Sequence, residues 1–365
     1  MSRRIFLCSS LCSGIVGALA PLRPAFSQTA YAPVIAERTL VFPRDEGSHP
    51  DYRTEWWYAT GWLEVTARSS LEALGFQITF FRARPARGSG NPSAFAPRQV
   101  LIAHAALSDP AQGRLLHEQR AARAAFDLAG ARAEGLHVWL DDWLLRSEDA
   151  GYRARMTGTA LALDLTLTST QPPLLQGDAG LSRKGPGAES ASYYYSLPHL
   201  AVRGEITRGR SREAVKGVAW LDHEWSSSYM DERAVGWDWI GINLDDGGAL
   251  MAFRMRDASG ASLWAGATLR TPLQPVRTFA PGHVRFTPRR SWRSPRTGAN
   301  YPIAWTVAVG DLQFDIEPLM DDQENDTRLT TGAIYWEGAV RASRGGIVLG
   351  RGYLELTGYW RRLRL

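Results

Sequence analysis

Apolar and polar residues alternate with a period of two through most of the chain beyond residue 30, and this pattern predicts strands joined by tight turns. The clearest stretch runs from Gly236 to Leu244. One face would carry Trp237, Trp239, Gly241 and Asn243, and the other Asp238, Ile240, Ile242 and Leu244. The turn Asp245-Asp246-Gly247-Gly248 leads into a return strand, Ala249 to Arg256, and Asp257-Ala258-Ser259-Gly260 into a third, Ser262 to Arg270. Such a meander is the local unit of an up-and-down barrel or a sandwich. Near the front, Glu55 to Val65 and Ala73 to Arg82 form a second hairpin around Ala67 to Glu72. Near the end, Gly332 to Ala342 and Ile347 to Thr357 flank Ser343-Arg344-Gly345-Gly346. The first two hairpins each pair a Trp-rich strand with a return strand ending in Phe-Arg (Phe81-Arg82 and Phe253-Arg254), a faint internal repeat. Helix signals are few: Ala111 to Leu128 is Arg/Ala-rich but interrupted by Gly and Asp. Gly-, Pro- and Ser-rich stretches at Pro85 to Pro97, Gln171 to Ala191 and Arg289 to Tyr301 read as loops, the first and last as rims of a barrel mouth. A domain boundary is expected near Ser226 to Ala234. It divides the chain into residues 37–228 and 229–365, in an all-β protein.

Composition narrows the picture. With 365 residues the chain is long enough for two domains, and 14 Trp, 12 Tyr and 12 Phe supply core material that a disordered chain would lack. Arg3 and Arg4, the apolar run Ile5 to Ala20 and the small residues around Ala25-Phe26-Ser27 read as a signal peptide, residues 1–27, and Ser2-Arg3-Arg4-Ile5-Phe6-Leu7 resembles a twin-arginine export signal. The expected location is therefore periplasmic or secreted. Both cysteines, Cys8 and Cys12, fall inside that segment, so the mature chain would have no disulfide, thiol catalyst or thiolate metal site. Loss of Arg3, Arg4 and Arg23, with no acidic residue, lowers the net charge from +5 to +2. The remaining basic residues are scattered among acidic ones, which does not suit nucleic acid.

Chemistry concentrates in three patches: Gly47 to Tyr58, Leu221-Asp222-His223-Glu224-Trp225-Ser226, and Gly236-Trp237-Asp238-Trp239. Neighbouring tryptophans on a strand face opposite ways, so at least one of Trp56 and Trp57 must line a core or cavity. Aromatic walls with a few polar groups hold apolar ligands. Trp225, Trp237, Trp239, Trp57 and Tyr58 are the candidate walls, with Glu55 and Arg254 as polar contacts. His223, beside Asp222 and Glu224, is the candidate acid or base, with Asp238 as a further carboxylate; the same residues equally suit a buried, hydrogen-bonded histidine. His223-Glu224 lacks the second His of a zinc-protease helix, no spacing joins His49, His104 and His223, and no Gly-x-Ser-x-Gly elbow is present, so neither metal nor cofactor is expected.

Phe42-Pro43-Arg44-Asp45-Glu46-Gly47-Ser48-His49-Pro50 and Thr54-Glu55-Trp56-Trp57-Tyr58-Ala59-Thr60-Gly61 resemble the opening of a secreted lipocalin-like family. That family joins carotenoid 1,2-hydratases (hydroxyneurosporene synthases) with AttH-like predicted secreted hydrolases. Gly75 to Arg82, Trp220 to Ser227 and Gly352 to Tyr359 fit it as well. The resemblance implies two packed lipocalin-like β-barrels and a hydrophobic ligand. It also implies a His-x-Trp pair tied to activity, matched by His223 and Trp225, and transporter components as partners. In the hydratases a Tyr-x-Asp on a following strand supplies the proton. The corresponding stretch here, Ala252 to Arg256, has no carboxylate, which leaves Asp238 or Glu55 as substitutes. Two readings follow. One is a carrier or transport accessory for a hydrophobic small molecule such as a lipid, isoprenoid or carotenoid. The other is a hydratase or hydrolase acting on such a molecule through His223. Whether His223 faces a cavity discriminates between them.

Overall fold

A computed structural model describes residues 31–66, 73–86, 93, 95–96, 98–149 and 151–363. The signal segment, both cysteines, the whole turn at 67–72 and parts of the loop at 85–97 lie outside the described residues. Two antiparallel sheets account for the fold, one built from Thr54 to Ser228 and the other from Gly236 to Leu356. In the first, Thr54–Val65 pairs with both Ala73–Ala83 and the long strand Ser211–Ser228. In the second, Gly236–Leu244 pairs with both Ala249–Arg256 and Ile347–Leu356. Each opening strand thus bonds to its successor and to the last strand of its own sheet. Each sheet curls until its outer strands meet: Leu116–Arg123 with His137–Leu140, and Ser262–Arg270 with Val284–Arg293. These are two lipocalin-like barrels, and the shared connectivity gives the faint sequence repeat a structural basis.

The alternation read from the sequence sorts the residues as expected. Ile240, Ile242 and Leu244 enter the core of the second barrel, with Trp305 and Trp336. Trp57, Leu63, Phe76 and Phe80 fill the first. The opposite faces pack against each other. A third apolar cluster joins Tyr58, Trp62, Tyr194 and Trp220 of the first barrel to Trp239, Met251, Phe253 and Tyr353 of the second. Trp56 and Trp57 divide accordingly, Trp57 into the barrel core and Trp56 to the seam between barrels. Two local expectations change. The Ala111–Leu128 stretch holds a strand, Leu116–Arg123, because its side chains pair across to Val100–Ser108. The Arg289–Tyr301 loop shrinks to Ser294–Ala299, since the strands on either side run on to Arg293 and resume at Asn300.

The seam is tight at Gly75. A Cβ there would lie 2.5 Å from the Ala339 Cβ and 2.8 Å from the Tyr353 hydroxyl, both on the other barrel. Overpacking of this kind typically costs about 1–3 kcal/mol. Gly75→Ala is therefore expected to destabilise the protein by about that amount in chemical denaturation. Gly282→Ala, where a Cβ would meet open space, should stay within about 0.5 kcal/mol of the parent. Equal effects at both positions would contradict the close approach of the barrels.

Candidate active site

Asp222, His223 and Glu224 are consecutive on one strand, so alternation sends His223 to one side and its two neighbours to the other. His223 enters the core of the first barrel. Its Nε2 lies 2.9 Å from Glu55 Oε1, and its Nδ1 lies 3.2 Å from the Tyr195 hydroxyl. Glu55 also faces His49 Nδ1 at 2.8 Å and accepts from Arg82 Nε at 2.7 Å. His49 Nε2 in turn lies 3.2 Å from Asp45. Trp57 stacks on His223 and Trp225 on His49, with ring centroids 4.8 and 3.7 Å apart. Burial alone would raise the Glu55 carboxyl, but Arg82, His223 and His49 together hold it well below the usual range. Burial pushes His223 down to about 4, against the pull of Glu55, so it is neutral at pH 7. His49, Glu55 and His223 bring ligand-type atoms within 4.8 Å of one another. That is a convergence of two of the three histidines considered from sequence, but the Arg82 guanidinium already supplies the positive charge there. This cluster pins the segment around Asp45 and His49 to the barrel, with Arg82 Nη1 and the Trp225 indole nitrogen buried and unpartnered.

His223 itself does not line the cavity between the barrels, although its partner Glu55 does. Trp57 and Trp225 stay with it in the barrel core. Asp238 likewise points into the second barrel, where it accepts from Arg254 Nε at 2.6 Å, Arg256 Nε at 3.0 Å and the Tyr359 hydroxyl at 2.8 Å. Asp238 and Arg254 thus pair with each other inside the second barrel, and neither lines the cavity between the barrels.

The other face of the same strands lines a cavity of about 280 Å³ between the barrels. Tyr58, Asp222, Glu224, Trp237 and Trp239 of the sequence-derived set all reach it, and Glu55 touches its rim with Arg82. The second barrel adds Glu337 and Glu355, which lie directly opposite each other on adjacent antiparallel strands, both on the seam face. Like charges in that register repel. Burial, then Glu355, raises the Glu337 carboxyl well above its ordinary value. Burial raises Glu355 to about 7, although the Trp237 indole N–H donates to its Oε2 at 2.7 Å. Burial also lifts Asp222 to about 7, against donation from Ser196, Tyr194 and Trp220. Glu224 is raised by burial too, despite Lys184 Nζ at 2.8 Å.

A hydrogen-bonded chain fixes the neighbouring polar groups. Gln119 Nε2 donates to the Asp326 carbonyl, so its Oε1 accepts from the Thr330 hydroxyl at 2.8 Å. Thr330 must then accept from His104 Nε2, 3.0 Å away, which leaves His104 Nδ1 to accept from the Tyr335 hydroxyl at 2.9 Å. Burial lowers His104 to about 3, and that neutrality is what leaves Nδ1 an acceptor. Glu337 Oε1 and the Tyr58 hydroxyl are both buried with no hydrogen bond of ordinary geometry, while the hydroxyls of Tyr58 and Tyr335 act against the rise of Glu337. All three residues line the cavity.

A sequence profile of the AttH-like family matches residues 33–359. The chain belongs to the AttH-like family. This AttH-like protein is 54% identical to a Nitrosomonas europaea protein assigned as an AttH. Its crystal structure matches with a TM-score of 0.84 over 90% of this chain and 99% of that one. Kievitone hydratase from Nectria haematococca shares the fold at 16% identity, with a TM-score of 0.65 over 90% of this chain and 96% of its own. A comparison with curated proteins gives no match. Sequence reasoning missed Glu337, Glu355 and Lys184 of this AttH-like protein, and considered His104 only as a metal ligand. The available signal was a lone Glu inside an otherwise apolar strand, in Trp336-Glu337-Gly338 and Leu354-Glu355-Leu356.

A carboxyl whose folded value is raised loses its stabilising contribution as pH rises from the ordinary carboxylate range, about 4, through the raised value. For Glu355 that window closes at about 7. Glu355→Gln and Glu337→Gln are each expected to raise stability by about 1–3 kcal/mol near pH 7.5 and to change little near pH 4. Denaturant melts at the two pH values test this. Destabilisation at the higher pH would show that the pair is ionised and compensated.

Proposed function

We propose that this exported AttH-like protein is an acid–base enzyme that adds water to a double bond of a hydrophobic substrate held between its two barrels. The observation that carries this reading is the Glu337–Glu355 pair. It consists of two buried carboxyls facing one another with raised proton affinity, one with an unpartnered oxygen, on the wall of an aromatic cavity. A carrier needs an apolar lining, and buried acids would only weaken its hold on an apolar cargo. Two neighbouring buried carboxyls resist ionising together, so one holds a proton as the acid while the other serves as the base. The fold shared with a protein named as a hydratase is in keeping with this chemistry.

Glu337, which lacks the indole N–H that Trp237 gives Glu355, keeps its proton and delivers it to one alkene carbon. The π pair forms the new C–H bond and leaves a cation on the other carbon. The rings of Trp237, Trp239 and Tyr58 offer their faces to that cation. Water adds through oxygen, and Glu355, poised near neutrality, takes the proton that the added water releases. Transfer of that proton to Glu337 resets the pair, and the net change is addition of one water. The cavity, about 280 Å³, is at the small end for ligand sites. It suits a compact apolar molecule or the reacting end of a longer one. His223 acts here as a structural group, which departs from the role the family resemblance implied.

Incubation of the protein with lipid and isoprenoid extracts, read by mass spectrometry, should yield products heavier by one water. Glu337→Gln should lower that rate by about 10²-fold or more while retaining the fold. If the parent protein binds compounds and returns all of them unchanged, the enzyme reading fails and the carrier reading stands.

A further inference from the structure

The seam between the barrels is polarised. On the face that holds Glu337 and Glu355, the same two strands continue to Arg341 and Arg351, which again lie directly opposite each other. Four residues of strand separate the two pairs, about 13 Å. The facing wall repeats the arrangement. Asp222 and Glu224 stand at the acidic end of their strand, and Lys216, further along, lies directly opposite Arg203. Two like-charged pairs, one from each barrel, therefore look across an open groove of about 730 Å³.

Cross-strand pairs of like charge are destabilising, and the groove offsets them only in part: Glu64 lies directly opposite Lys216 on its other side, and Asp245 also lines the groove. Arg351 meets Glu64 at 3.4 Å. Among the described residues, Arg341, Lys216 and Arg203 have no hydrogen-bonded or ion-paired carboxylate. Burial and the neighbouring Arg351 both act against the Arg341 charge. Both guanidiniums of the Arg341–Arg351 pair lie against Trp62, at 4.8 and 5.3 Å from its ring centroid. This fixes them on the apolar floor of the groove. That floor also includes Trp220 and the exposed side chains of Val218 and Val348.

We infer that this groove is an anion-binding site, separate from the acidic cavity, that takes the phosphate or carboxylate head of an amphiphile between Arg341 and Lys216. Guanidinium groups match such oxyanions with paired hydrogen bonds. The groove is far larger than an inorganic ion needs, and its Trp and Val floor accounts for the remainder as a bed for an apolar tail. Trp220 lines the groove while its indole N–H holds Asp222 on the cavity side, so the two sites share one wall. The anion site rests on its own residues and stands or falls independently of the hydration chemistry.

Calorimetric titration with dodecyl phosphate and, separately, inorganic phosphate tests the assignment. Dodecyl phosphate should bind, more weakly as salt is raised. Arg341→Gln and Lys216→Gln should each weaken it about tenfold, and Arg341→Lys should retain most of the affinity. Tighter binding of dodecyl phosphate than of phosphate identifies an amphiphile site, whereas equal binding identifies a site for the free anion. If neither ligand binds, or if the Arg341→Gln/Lys216→Gln double variant binds dodecyl phosphate as the parent does, the inference is overturned.

Discussion

Two carboxyls held opposite one another in a buried seam are the constraint on which the account of this protein depends. Elsewhere its buried charges are balanced. Glu55 is met by Arg82 and flanked by His49 and His223, and Asp238 is met by Arg254 and Arg256. Each balanced group occupies the cross-strand position between the opening strand of its barrel and the next, Glu55 opposite Arg82 and Asp238 opposite Arg254. The two barrels thus repeat one structural device, a buried acid–arginine staple across their first hairpin. At the seam Glu224 is paired to Lys184, but Glu337, Glu355 and Asp222 have no ion-paired base among the described residues. Balanced charge inside each barrel fits a structural role, and unbalanced acid between the barrels fits a chemical one.

The division follows from the period of two. On the strand Ser211–Ser228, one residue decides whether a side chain joins the barrel core or the seam, so the adjacent Asp222 and His223 occupy different compartments. The rigid packing of the barrels then fixes the seam. Trp62 donates from the first barrel to the Gly352 carbonyl of the second at 3.0 Å, and Asn243 from the second to the Ala219 carbonyl of the first at 3.1 Å. The cavity is framed by strands, which position side chains more exactly than loops do.

Much of this was legible in the sequence. The strands Gly236–Leu244, Ala249–Arg256 and Ser262–Arg270 coincide with the stretches read from alternation, because short turns and a half-buried pleat leave a strong local signature. The partition of Trp237 and Trp239 from Asp238 was equally local. What escaped was long-range. Glu337 and Glu355 lie on the last hairpin read from the sequence, but the bulge between Ala342 and Ser343 sets their register, and their meeting Asp222 at one cavity depends on how sheets from distant segments pack. His223 drew attention as a histidine among carboxylates, but its partner is Glu55, 168 residues away, and its adjacent acids turn the opposite way. Motif proximity along the chain is a poor guide where every second residue changes compartment.

The account's central claim concerns protonation, and isotope-edited infrared spectroscopy reads it directly. Protein carrying carbon-13-labelled glutamate should show, at neutral pH, a protonated-carboxyl band from a solvent-shielded side chain that disappears in Glu337→Gln. Such a band, titrating only above the ordinary carboxylate range, would establish that the seam holds a proton where an apolar substrate can meet it. A parent spectrum with only ionised glutamate at neutral pH would contradict the account.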